Sequence, residues 1–148
     1  MTGASDQRKI NKVHVADVVP NRRRGGDVRV VLGPKTAGST TGFLGTLTLK
    51  PGEYVSEHYH PYSEEFLFVL RGRLTLRLHG GSEEIELGPD EGLVVPKDVR
   101  HRAMNHGDED VYAVFHLCPL APRPELGHVD TEPLPAGSEP PPDVGGPR

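Results

Sequence analysis

The chain has 148 residues, a formal charge of −4 at pH 7 and 34% hydrophobic residues, enough for one domain that buries its own core without disulfide staples. The acidic balance, with a pI near 6.0, argues against a general nucleic-acid binder, and no stretch approaches the length of a membrane span. Its single cysteine, Cys118, cannot form an internal disulfide and the first residues hold no apolar signal region, so a soluble cytoplasmic protein is expected.

Residues 1–11 are expected to form a flexible arm. Lys12 to Val19 alternates moderately, and Pro20-Asn-Arg-Arg-Arg-Gly-Gly26 is a turn with a positive cluster. Asp27 to Leu32 predicts a strand, Gly33 to Thr41 a Gly/Ser/Thr/Pro loop, and Phe43 to Lys50 a strand ending at Pro51-Gly52. Glu64 to Leu70 is strongly apolar. Arg73 to Leu78 alternates cleanly, with leucines on one face and Arg or Thr on the other, and Glu84 to Leu87 repeats the pattern. Leu93 to Val95 precedes a turn at Pro96, and Val111 to Leu117 is the last obvious strand. No segment keeps a helical period. Short strands spaced by about 8–12 residues indicate a sandwich, jelly roll or barrel, a single all-β domain over residues 12–120. Residues 121–148 form a tail. Nine of the fifteen prolines lie from Pro119 onward, a composition expected to leave the tail largely disordered beyond residue 132.

The strand from Glu65 carries apolar residues on both faces. Glu65, Leu67 and Val69 share one side; Phe66, Phe68 and Leu70 share the other. A strand with one wet face would alternate with polar residues, so the second face calls for a cover. A second subunit in a homodimer is the favoured cover; the N-terminal arm or the Pro-rich tail is the alternative.

The chemistry concentrates between Gly52 and Gly72. His58 and His60, two apart, project from one face of a strand, and Glu65 can return to the same point after a tight turn. With His101 they make three imidazoles and a carboxylate, a donor set that suits a first-row divalent metal: zinc, iron, nickel, copper or manganese. The expectation is one divalent ion per chain, zinc first, with iron, nickel or manganese as alternatives. Glu65 is either a direct ligand or a base beside the metal. His116, on the last strand with Tyr112 and Val114, is a candidate fourth imidazole if that face points inward; a core or rim histidine is the simpler reading. His79 and His106 lie in turn-like contexts, and His14 and His128 flank the core without a motif.

These residues resemble the two motifs of the cupin superfamily. Gly52, His58, His60, Glu65 and Gly72 meet each position of the first, and the count back from Gly72 selects Glu65 over Glu64. Pro96, His101 and Asn105 match the second. Asp90 and Asp98 stand where that motif has glycine, and aspartate tolerates the left-handed conformation such turns require. The resemblance implies a double-stranded β-helix, the jelly-roll barrel of cupins. A narrower resemblance, carried by Pro20 to Pro34, His58 to Leu67 and Pro119 to Thr131, is to small single-domain cupin cyclases of aromatic polyketide pathways, of tetracenomycin, resistomycin and spore-pigment type. It spans residues 10–131. It implies a role in antibiotic or pigment biosynthesis: cyclising a poly-β-ketone made by a type II synthase.

On that reading a metal Lewis acid stabilises the enolate of an aldol closure, and Glu65 and His101 are the candidate catalytic residues. The substrate is a small polyketide, free or carried by an acyl carrier protein. Arg22, Arg23 and Arg24 could steer an acidic carrier, although a solvated turn is the simpler reading. Arg100 and Arg102 flank His101 and should point away from the metal. Two other classes compete: a metal-dependent oxygenase acting on an aromatic or polyketide substrate, and a non-catalytic accessory subunit of a synthase. Fold alone does not choose among them.

Overall fold

Val111–Cys118 buries every second residue: Val111, Ala113, Phe115 and Leu117 face inward, and the residues between them do not. That alternation is what a strand between a core and a second environment requires. In the computed structural model, which describes residues 9–142, this strand is the centre of one of two sheets. In chain order the strands are β1 (Asp27–Leu32), β2 (Phe43–Leu49), β3 (Tyr54–Tyr59), β4 (Glu64–Arg71), β5 (Leu74–Leu78), β6 (Glu83–Leu87), β7 (Gly92–Val95), β8 (His101–Met104), β9 (Val111–Cys118) and β10 (Val129–Asp130). The first sheet runs β1-β2-β9-β4-β7 and the second β10-β3-β8-β5-β6, with every pairing antiparallel. The expected all-β jelly-roll architecture is therefore present.

The inner faces meet in one core that includes Leu47, Leu49, Leu67, Val69, Leu74, Leu76, Val111 and Leu117. Each such side chain contributes roughly 1.5–3 kcal/mol when fully buried, so Leu74, Leu76 and Val69 are among the main supports of the barrel. The turns use the residues that the motifs predict. Asp90 and Asp98 both take positive φ, 67° and 69°, the conformation usually reserved for glycine. Gly72 takes φ 80°, and a Cβ there would lie 2.5 Å from the Asp110 carbonyl oxygen. Asn105, 1% exposed, donates to the carbonyls of Leu49 and Glu109, each at 2.9 Å, and accepts from the Gly107 N–H.

Three local features differ from the pattern in the sequence. The moderate alternation of Lys12 to Val19 gives no long strand; Val15–Asp17 is a 3-10 turn, with the His14 imidazole accepting from the Ala16 N–H at 3.0 Å. The Gly33 to Thr41 loop contains one helical turn, Pro34–Ala37. Beyond residue 120, a 3-10 turn at Pro124–Leu126 leads into β10, which pairs Val129 with Tyr59 and Asp130 with His58. Further on, the Ser138 hydroxyl donates to the Arg23 carbonyl at 2.7 Å. The expectations for residues 1–8 and 143–148 lie outside the described residues.

The outer face of the first sheet is apolar and open. Register places Leu32, Leu44, His116, Phe66 and Val94 in one row across its five strands. Phe66 and Phe68 are 43% and 41% exposed, so among the described residues neither the N-terminal arm nor the tail covers them.

Candidate metal centre

A bulge builds the site. Along β3 and β8, Val55 pairs with Ala103 and His58 with His101, so three steps on β3 answer two on β8. Strict alternation would put Val55 and His58 on opposite faces; the extra residue returns both to the inner one. His58 then faces His101, with ring centroids 4.5 Å apart. His60 follows just past the end of β3 and is held there by its own carbonyl, which accepts from the Asp98 N–H at 3.0 Å. Glu65 enters from β4, directly opposite Leu117 on one side and Val95 on the other.

One ligand atom from each of His58, His60, Glu65 and His101 falls within 4.8 Å of all the others. The Glu65 Oε1 is 3.1 Å from both His60 Nε2 and His101 Nε2. Each imidazole has its Nδ1 against a backbone carbonyl: His58 at Ser56 (2.8 Å), His60 at Gly127 (2.9 Å) and His101 at Val99 (2.9 Å). An Nδ1–H spent on a carbonyl leaves the Nε2 lone pair aimed at the centre. Lone pairs crowded against a carboxylate oxygen call for a proton or a cation between them. Three neutral imidazoles and one carboxylate are a donor set that fits a divalent transition metal.

The charges agree. Burial pushes the Glu65 carboxyl up, but the hydrogen bonds and charges of His101 and His60 outweigh it and hold the group well below its usual range. Burial pushes His101 down, and the Glu65 carboxylate outweighs that to raise it. His58 is pushed well below its ordinary value by burial, then by His101 and His60. The cluster thus favours an ionised carboxylate and an uncharged His58, as metal coordination requires, whereas the Glu65 charge favours a proton on His101 that a metal ion would have to displace.

His116 is not brought to this centre. It lies opposite Phe66 in the β4–β9 register, ring centroids 5.9 Å apart, whereas Glu65 lies opposite Leu117. Neighbours on a strand face opposite ways, so His116 belongs to the outer apolar row. His106 is exposed and His79 sits in a turn at φ 54°. His128 is pushed down to about 4 by burial and then by Arg24, and so is neutral at pH 7. The arginine turn is partly engaged within the chain: Arg22 pairs with Asp27 at 3.0 Å, and Arg24 holds Asp130 at 2.6 and 3.4 Å. Arg102 stacks over Tyr54, 4.0 Å from the ring centroid, and pairs with Glu132 at 3.1 Å. Arg100 lies 3.8 Å from Glu57. No motif signals the Gly127 carbonyl or the contacts of the buried Glu57, because these depend on the bulge and on a segment distant in sequence.

The cupin domain family matches residues 45–117, a span that contains all four ligand candidates. Among curated proteins the chain is 54% identical over 127 residues to CurC of Streptomyces cyaneus, named a polyketide synthase, covering 86% of this chain and 81% of that one. This protein is a cupin. The same cupin is 49% identical over 135 residues to the tetracenomycin polyketide synthase protein TcmJ of Streptomyces glaucescens, covering 91% of this chain and 89% of its relative. Its fold is shared with the polyketide cyclase RemF from Streptomyces resistomycificus, at a TM-score of 0.63, 17% identity, and coverage of 80% of this chain and 90% of that one. The cupin therefore belongs with relatives named for polyketide synthases. No helix among the described residues is long and apolar enough to cross a membrane.

Proposed function

We propose that this cupin is a metal-dependent aromatic polyketide cyclase that directs aldol-type ring closure of a poly-β-ketone in antibiotic or pigment biosynthesis. The observation that carries the reading is the convergence of three Nε2 atoms and the Glu65 carboxylate at one inner point, in a chain so similar to TcmJ and CurC. A divalent ion, zinc first, held by His58, His60, His101 and Glu65 would supply Lewis-acid stabilisation of negative charge on a ketone oxygen.

The chain's own residues set up the rest. Glu65 is ionised, and a carboxylate oxygen left free of the metal would accept the α-proton of the chain being closed. His101 Nε2 lies 3.1 Å from that carboxylate and would hold the ion beside it. Val95 and Leu117 flank Glu65 across the sheet, and Leu78 flanks His101. These hydrocarbon neighbours lower the local polarity and would keep water from competing for the proton. The working unit is a homodimer in which a second copy covers the Phe66, Phe68 and Val94 face.

The test is product formation by a reconstituted synthase, with and without dioxygen. A cyclase redirects the product toward one ring pattern anaerobically, and His58→Ala returns it to spontaneously folded shunt compounds. A product that forms only with dioxygen, or that gains an oxygen atom, replaces this reading with the oxygenase. Directed folding by the metal-free variant makes the protein a non-catalytic accessory of the synthase. Glu65→Gln separates two roles: loss of metal marks a ligand, and retained metal with slow turnover marks the base.

A further inference from the structure

The three ligand imidazoles are not held in the same way. His58 and His101 find their Nδ1 partners two residues back on their own chain segment, at Ser56 and Val99. Those partners arrive as soon as the local strand forms. His60 finds its partner 67 residues away, at the Gly127 carbonyl. Gly127 closes the 3-10 turn Pro124–Leu126, and the residues after it are fastened to β3 beside the ligands. Asp130 pairs with His58 in the ladder and is gripped by Arg24 at 2.6 Å. The Thr131 N–H donates to the Glu57 carbonyl at 3.1 Å and its hydroxyl to Glu57 Oε1 at 2.8 Å. The Glu132 carboxylate accepts from the Glu57 N–H and pairs with Arg102 at 3.1 Å. Glu57 itself, 4% exposed, lies within the bulge that turns His58 inward.

We infer that residues 124–132 are a strap belonging to the metal centre: by docking on β3 the strap presents the Gly127 carbonyl that orients His60, so that strap docking and metal binding are coupled. This rests on the metal-dependent reading of the site. Gly127 is a positioning residue, acting through His60 and touching neither metal nor substrate. An imidazole that loses its Nδ1 acceptor is freer to rotate and its Nε2 is a weaker donor. Coupling is reciprocal, so bound metal must in turn hold the strap down.

The experiment uses the full chain and Co(II), whose visible bands report ligand geometry, with zinc as a competitor. In Asp130→Ala/Thr131→Ala the strap loses three side-chain hydrogen bonds, two to Arg24 and one to Glu57, and no ligand is altered; limited proteolysis between residues 124 and 132 verifies its release. The expected result is Co(II) affinity lower by about 10–100-fold with shifted visible bands, whereas Ser138→Ala, which loosens the chain only beyond the strap, leaves both unchanged. Equal affinity and an identical spectrum in the strap-released variant overturn the inference and leave the metal reading standing. A wild-type protein that takes up neither Co(II) nor zinc overturns both. Should the double variant misfold, amide exchange in the wild type decides: the Leu126, Gly127 and Thr131 amides slow at least about tenfold on metal addition, given the reciprocity of coupling, and unchanged exchange there overturns the inference.

Discussion

The two faces of β4 are similar in composition and opposite in fate. Leu67 and Val69 on the inner side are 5% and 0% exposed; Phe66, Phe68 and Leu70 on the outer side are 43%, 41% and 39% exposed. The same contrast runs through β9, where Phe115 and Leu117 are buried in the barrel and Val114 and His116 look out. Hydrophobicity alone therefore does not say which side of a strand is core. The inner side is closed by the second sheet, and at one end its hydrocarbon gives way to the His58, His60, Glu65 and His101 cluster. The outer side offers a row of side chains with no polar alternation, a surface suited to another protein.

The largest effect should come from removing the polar end of the inner face. His58→Ala/His60→Ala is expected to abolish metal binding, about one ion per chain in the wild type, while circular dichroism still reports the barrel; metal analysis checks it, and full metal content in the double variant would sink the site. Next, Leu67→Ala should destabilise by about 2–5 kcal/mol because it opens a cavity between the sheets, measured by denaturant unfolding. Phe68→Ser, one residue along and on the other face, should change the stability of an isolated chain by no more than about 1 kcal/mol but shift a dimer toward monomer in light scattering. A wild type that is monomeric at micromolar concentration removes the dimer, and equal destabilisation by the two variants removes the contrast itself. The smallest effect belongs to His116→Ala, which should leave metal content unchanged; a loss of metal there would mean that His116 reaches the centre.

Much of the centre is legible in the order of residues alone. His58, His60, Glu65 and His101 can be picked out because their types and spacing match a motif and a metal accepts few donor arrangements, although His60 falls just past the end of β3. Asp90 and Asp98 can be assigned to left-handed turns because the restriction is local to each residue. Most of the strands from Asp27 to Leu117 follow from alternation and from turn residues for the same local reason.

The amino-acid sequence by itself thus determined the four candidate donors, the turns and the all-β class. Tertiary structure alone decided three things. It placed the bulge at Ser56 and Glu57, because register is a property of two paired strands. It turned His116 outward, because which face of β9 is core depends on where the second sheet lies. It brought Gly127 to His60, because that contact spans 67 residues and forms only when the chain after β9 folds back onto the edge of β3.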